Sequence, residues 1–429
     1  MGQYPFDLDC NLSGYARLLR KRRMGKVSFW TIRFQQRLIQ LILAAHAVDD
    51  YDVVSKTLIG SSIWFTGVTC LSNSKEFSVR CSSVVVVASC TRPLPSKYVG
   101  MQSGKRYADR LAGLLAEPAS FELFRRITQG TKEIRRFLWS AGFDEFSTGV
   151  LQQQREAGTA NLFTTHCNAN GREYTLGLTS ELKLRKLQVA GFENVFEILQ
   201  SFRNEGMDSL HSPEFTLLEV YRTGADCEAM MQLLESMLRA VEAGGSLSAS
   251  SPEGEVALPV PFARVAFYDA CEQILCIPRL ECRLETFISR YPEQFVSGMG
   301  TFTWVFKAIN KLLGPHFKDP TFITRIPAGI SPLVKVNADD SSTTDRAALL
   351  IQGTDIADVY ADENDPERVR SAMKRQFLEV GVPVNEEYLR VLEYGMPPSG
   401  SIGMGLNRLF MTMRGNLPAN IRETILYPL

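Results

Sequence analysis

The segment Ser201–Tyr221, SFRNEGMDSLHSPEFTLLEVY, restricts what this chain can fold into more than any other stretch. Along a strand, successive side chains point to opposite faces. On that period Arg203 and Glu205 share one face of Phe202–Glu205, with Phe202 and Asn204 on the other. Gly206–Pro213, which carries His211, reads as a loop, and the chain returns as Phe215–Tyr221. On the return strand Phe215, Leu217, Glu219 and Tyr221 face one side, while Thr216, Leu218 and Val220 face the other. An antiparallel hairpin follows, with an arginine, two glutamates and two aromatics on the same side. Such a face on an otherwise apolar strand pair is solvated or functional, and Phe215 and Tyr221 do not suit a merely solvated one.

Composition narrows the setting. With 429 residues, 45% hydrophobic and 22% charged, the chain is too apolar for disorder and long enough for more than one core. Apolar runs such as Leu38–Leu43 and Val84–Ala88 fall far short of the roughly 20 residues of a membrane helix, so no membrane partner is expected. The nine cysteines form no CxxC pair and only four histidines are present, which argues against a zinc site. Met1–Asp9 does not resemble a secretory signal, so reduced thiols in an intracellular compartment are expected, although Cys70, Cys81 and Cys90 share a strand-rich stretch. The zero net charge hides an asymmetry: residues 1–100 carry 13 Lys+Arg against 6 Asp+Glu, a surplus of seven positive charges that the remainder balances. A small basic module on an acidic body suits nucleic-acid binding, and equally a solvated face.

That basic module reads as β-structure. Val27–Leu43 mixes alternating and continuous apolar positions, and Ile63–Thr69 and Phe77–Ala88 read as strands around the turn cluster Ser72–Ser74. Val48–Ile59 reads as one helix among the strands, and together they suit a small closed barrel of the oligonucleotide-binding (OB) type. Arg92-Pro93-Leu94-Pro95 reads as a linker. Beyond it Phe121–Ala141, Leu182–Val189, Cys227–Glu242, Pro366–Val380 and Glu386–Glu393 read as helices, Asn194–Phe202, Phe215–Tyr221 and Ile402–Leu406 as strands, and Arg408–Met413 opens a last helix. Gly244–Gly254 reads as an exposed loop. Helices and strands do not alternate regularly, so the fold class is α+β.

FRNEG followed by HSPEFT is similar to the second signature motif of class II aminoacyl-tRNA synthetases, in the version of the lysyl-tRNA synthetases. GKVSF, TRPLPSKY, VFEI, DPTFI, ISPL, EYGMPPSG, GMGLNRLFM and IRETILYPL resemble segments of that family in the same order, over nearly the whole chain. The resemblance implies an OB-fold anticodon-binding domain over residues 1–95. It also implies a catalytic domain built on an antiparallel sheet over 96–429, used as a homodimer. It implies that Arg203 holds the ATP α-phosphate and the amino-acid carboxylate, that Glu205 accepts from the adenine amino group, and that Phe215 stacks on the base. His211 would approach the outer phosphates, and Arg408 would sandwich the adenine and touch the γ-phosphate, with Gly403 and Gly405 admitting the nucleotide. Arg203 and Arg408 are thus the expected catalytic residues. For L-lysine the resemblance implies Glu181 and Asp362 at the side-chain ammonium, Tyr221 beside them, Asp358 in the same pocket, and Glu219 at the α-amino group. Arg22, Phe29 and Gln40 match positions that read the anticodon.

Several positions depart from the family pattern. Ala348 stands where a magnesium-binding glutamate is expected, and Asp355 replaces a second one and is the candidate metal ligand. Asp362 shortens a glutamate, Asp358 replaces an asparagine, Asn407 replaces an aspartate, and Gly149 replaces a proline of the dimer-interface motif. The expected function is ATP- and Mg²⁺-dependent activation of lysine and its transfer to tRNA. Cytoplasmic action is the default and an organelle the alternative; DNA is not an expected partner. The rival readings are a paralogue that gives lysine or a related basic amino acid to another acceptor, and a catalytically impaired binding paralogue.

Overall fold

The computed structural model describes residues 4–92, 109–153, 160–245, 250–251, 254–255, 258, 261–412 and 420–429. The expected linker at 92–95 lies outside them apart from Arg92, as do most of the 244–254 loop and Met413. The chain divides into two compact units, Met1–Leu123 and Phe124–Leu429.

In the first unit β1 (Asn11–Met24), β2 (Val27–Phe34), β3 (Arg37–Ala44), β4 (Ser62–Leu71) and β5 (Phe77–Ala88) close a barrel in the order β1-β2-β3-β5-β4. Alternation fills it: Trp30, Ile32, Leu41, Leu43, Ile63, Phe65 and Val79 point inward and are buried. The expected helix at 48–59 shrinks to Tyr51–Val54, whose tyrosine hydroxyl bonds Ser28 Oγ at 2.8 Å. The longest strand, β1, was hidden in the sequence by its basic run, since only Ala16 and Leu18 among its interior positions are large enough to signal a core. Its Gly14 is required, because a Cβ there would lie 2.5 Å from the Phe34 ring.

The second unit is organised by an eight-stranded, mostly antiparallel sheet. Its strands are β6 (Asp144–Glu145), β10 (Asn194–Phe202), β11 (Glu214–Thr223), β14 (Ala263–Ala266), β15 (Thr321–Thr324), β16 (Arg346–Ile351), β17 (Thr354–Ala361) and β18 (Ser399–Gly405). They run in the order β14-β15-β16-β17-β18-β11-β10-β6. The intervening β7 (Leu151–Gln152), β8 (Thr164–Cys167) and β9 (Arg172–Leu176) form a small separate sheet, and β12 (Ser250–Ser251) pairs with β13 (Gly254–Glu255). One face of the large sheet, with Leu218, Val220, Leu349, Val359, Ile402 and Met404, packs on the helix Cys227–Ala243 and on Ile134 and Leu138 of the helix Pro118–Ser140. The opposite face is apolar at its β15–β16 end, where Ala348 and Leu350 meet Phe267, Trp304 and Leu313, and is polar at its centre. The α+β class and the barrel expected from sequence are what the chain forms. All nine cysteines are free thiols; Cys81, Cys227, Cys271 and Cys282 are buried, whereas Cys10 and Cys276 are exposed.

Gly67 of β4 sits at a register shift against β5, and a Cβ there would fall 2.3 Å from the Arg80 carbonyl oxygen. Because that neighbour is backbone, Gly67→Ala should destabilise the barrel by about 1–3 kcal/mol, read as a lower urea midpoint.

Candidate active site

The register of the large sheet builds the floor of the site. Across β10, β11, β18, β17 and β16 one row reads Glu197, Glu219, Gly403, Asp358, Ala348, and the next reads Val195, Tyr221, Ser401, Tyr360, Arg346. Gly403 thus leaves a gap between two carboxylates whose strands stand about 10 Å apart. A bulge between Leu349 and Leu350 pairs Leu350 with Asp355 while Ala348 pairs with Asp358, so both aspartates lie on the same face despite their odd spacing.

Above this floor opens a cavity of about 330 Å³, whose lining includes Arg203, Glu205, His211, Phe215, Asp355, Asp358, Gly403, Gly405 and Arg408. Strand β10 stops at Phe202, three residues short of Glu205, where the extended face was expected to end, so Arg203 and Glu205 enter the cavity from the loop. The Arg203 N–H still donates to Pro213 O at 2.8 Å, which keeps the hairpin register. The Arg203 guanidinium lies 5.1 Å from the Phe215 ring centre. Solvent reaches it through the cavity mouth, yet protein crowds it, and this desolvation followed by the charge of Arg408 lowers its pKa. Arg408, in the first turn of the helix Leu406–Thr412, donates to Leu210 O and Asp355 O, both at 3.2 Å. His211 bonds Asp208 through Nδ1 at 2.9 Å. Asn407 completes this wall: its Oδ1 accepts from Thr216 N at 2.7 Å, and its Nδ2 donates to Thr424 O at 3.2 Å. An aspartate could not make the second bond.

The remaining acids lie beneath, in a buried cluster outside the cavity lining. Glu219 accepts from Thr179 Oγ1 and from Tyr221 OH. Burial first, and the charge of Glu181 second, raise its pKa to about 8. Glu181 begins the helix Glu181–Val189 and accepts on Oε1 from Arg185 Nη2 and Tyr360 OH, each at 2.7 Å. Asp362 is fully buried and accepts on Oδ1 from Arg185 Nη2 at 2.7 Å and Ser401 Oγ at 2.8 Å, and on Oδ2 from Ser399 Oγ at 2.9 Å. Burial raises its carboxyl to about 6 against the pull of Arg185. Sequence reasoning missed Arg185, Thr179 and Tyr360; the signals were the Glu181–Arg185 spacing of one helical turn and the period-two Asp358, Tyr360.

Beside Asp358, Arg346 donates to its Oδ1, with Nη2 at 2.8 Å and Nε at 3.1 Å, and its guanidinium lies 4.7 Å from the Phe306 ring centre. Asp355 has its pKa raised by burial and then by Asp358. Ala348 places a methyl among apolar groups and supplies no ligand. Among the described residues no group of three acids, histidines or cysteines is set to hold a metal. The donor set here fits a magnesium carried mainly by phosphates and water, with Asp355 as a single protein ligand.

On the barrel, Arg22 and Phe29 are cross-strand partners on the outer face, with the guanidinium 5.6 Å from the ring centre. Gln40 is opposite Thr31, two residues from Phe29, and accepts from Ser78 Oγ while donating to Glu76, each at 3.0 Å. The three therefore form one patch, and Phe29 is not core.

Residues 102–429 match the family described as tRNA synthetases class II (D, K and N). The chain is 31% identical over 430 residues to the lysine–tRNA ligase of Streptococcus thermophilus, covering 96% of this chain and 86% of that protein. It is 32% identical over 438 residues to that of Enterococcus faecalis, covering 98% and 87%, and 32% over 434 residues to that of Paraburkholderia phytofirmans, covering 96% and 83%.

With its carboxyl raised from 4.5 to about 8, Glu219 keeps its proton in the folded protein where the unfolded chain has lost it. Its contribution to stability therefore falls as pH rises through that window. Urea unfolding of Glu219→Gln beside the unaltered protein should show the difference shifting in favour of the variant between about pH 5 and about pH 8.

Proposed function

The chain belongs to the class II tRNA synthetases of the D, K and N group, and on that premise we propose that it is a lysine–tRNA ligase: it activates L-lysine with ATP and esterifies the product to the terminal ribose of tRNA. The observation that carries this reading is a cavity over one face of the large sheet, lined by Arg203, Phe215 and Arg408, with the buried Glu219 and the partly buried Glu181 beside it.

The reaction joins two anions, so the site must bring them together and take up the charge that develops. A lysine carboxylate oxygen attacks the α-phosphorus and pyrophosphate leaves; a ribose hydroxyl then attacks the acyl carbon and AMP leaves. Arg203 would hold the carboxylate and the α-phosphate with its planar fork. Phe215 and Arg408 would enclose the adenine, Glu205 would accept from its amino group, and Arg408 and His211 would approach the outer phosphates past Gly403 and Gly405. Magnesium supplies charge neutralisation on the phosphates, and Asp355 would hold it. Glu219 and Glu181, with Tyr221, Asp358 and Asp362, would form the amino-acid side of the site, because a buried ammonium needs carboxylates.

On the barrel, Arg22, Phe29 and Gln40 would read splayed anticodon bases by stacking and edge hydrogen bonds. This division assigns residues 1–95 to tRNA recognition and 96–429 to catalysis. The reading takes the enzyme as a homodimer acting in the cytoplasm, an organelle being the alternative, without DNA or membrane as partner. No helix among the described residues is long and apolar enough to cross a membrane.

Lysine-dependent exchange of pyrophosphate into ATP tests the proposal, and its absence with every basic amino acid would overturn it. Arg203→Ala should lower exchange by at least about 100-fold while tRNA affinity stays within about twofold. Arg22→Ala should do the reverse, lowering tRNA charging about tenfold or more with exchange unchanged; normal charging would remove the barrel patch from the reading.

A further inference from the structure

Arg185 has no place in the roles assigned so far, yet it is the most enclosed cation of the site, with a side chain wholly inaccessible to solvent. Its Nη2 reaches Glu181 Oε1 and Asp362 Oδ1, both at 2.7 Å, and its Nη1 donates to Tyr388 OH. The Tyr388 and Tyr221 rings lie 5.7 and 5.9 Å from its Cζ. Asp362 has both oxygens engaged by Arg185, Ser399 and Ser401. Glu181 is used on one oxygen only: Arg185 and Tyr360 both donate to Oε1, and no donor among the described residues reaches Oε2.

We propose that Arg185 is a specificity-determining positioning residue: by occupying Asp362 and one oxygen of Glu181, it leaves a single carboxylate oxygen to meet the substrate side chain, so that the pocket takes a compact ammonium and rejects a guanidinium. The proposal rests on the ligase reading and deepens it. Charge counting agrees. Glu181 and Asp362 share the single positive charge of Arg185, which leaves one negative charge to match the side-chain ammonium of lysine, and Glu219, protonated in the free protein, can release its proton to solvent as the α-ammonium arrives. A neutral side chain would leave the excess negative charge of the Glu181–Arg185–Asp362 group uncompensated and Glu181 Oε2 without a donor, which is costly. A guanidinium needs two parallel acceptor oxygens for its fork, and the second one is already taken. Asp362 then acts through Arg185 rather than by touching the substrate. Its side chain, one methylene shorter than the glutamate expected from the family, is spanned by the long arginine.

Exchange kinetics and amino-acid-dependent thermal shifts, with lysine and with arginine as ligands, test this on three forms of the full chain: unaltered, Arg185→Met, and Arg185→Met combined with Asp362→Asn. The unaltered protein should favour lysine strongly. Arg185→Met, which strands Asp362, should raise the KM for lysine about 30-fold or more, with the KM for ATP within about twofold. The double variant removes the stranded charge, keeps the protein folded if the single variant fails, and releases Glu181 Oε1. It should recover part of the lysine affinity and reduce the preference for lysine over arginine about tenfold or more. A residue with only a structural role would lower the melting temperature and leave that preference unchanged. An unchanged KM for lysine in folded Arg185→Met, or an unchanged preference in the double variant, overturns the proposal. Absence of exchange in the unaltered protein overturns the ligase reading instead. The Arg185 assignment is then decided by the thermal shifts: a lysine-dependent shift lost in Arg185→Met supports it, and equal or absent shifts refute it.

Discussion

Carboxylates facing one another across a buried surface repel, and each must be met by a cation, a hydrogen-bond donor or a proton. This constraint governs the site side of the large sheet. Asp362 and Glu181 are met by Arg185, Asp358 by Arg346, and Asp355 lies beside Arg408. Glu219 has only hydroxyl donors, from Thr179 and Tyr221, and its carboxyl is accordingly the one raised to about 8. Lacking a cation of its own, Glu219 is well placed to answer an incoming ammonium, because binding supplies what the fold withholds.

The same constraint explains why the sheet needs a largely apolar second face. Charges at the centre of one side contribute little net stability. The helix Cys227–Ala243, with Met230, Leu234, Met237, Leu238 and Val241 packed beneath the strands, supplies the burial that holds the array in place. Gly400 permits that packing, since a Cβ there would lie 2.5 Å from Met230 Cγ. Chemistry and cohesion are thus segregated to the two sides of one set of strands, a direct use of the two-residue period.

That period is also why so much was legible beforehand. Asn194–Phe202, Phe77–Ala88, Pro366–Val380 and Glu386–Glu393 have the bounds expected of them, because each is bracketed by turn or capping residues. The convergence of Arg203, Phe215 and Arg408 was readable from motif order. What stayed hidden depended on long-range geometry. Strand β1 carries its signal in two small or medium interior residues amid arginines. Arg203 reaches the cavity from beyond its strand because the Pro213 carbonyl continues the pairing. Arg185 reads locally as one more charged residue on an exposed helix, and only the distant Asp362 and Tyr388 make it a buried hub.

The bulge in β17 has a consequence for how such a site can change over time. Because one additional residue turns Asp355 to the same side as Asp358, removing it would rotate one of them into the hydrocarbon beneath the sheet. A substitution at either aspartate leaves the direction of its neighbour untouched, whereas a deletion reverses it. The strand thus tolerates a change of chemistry here more readily than a change of length.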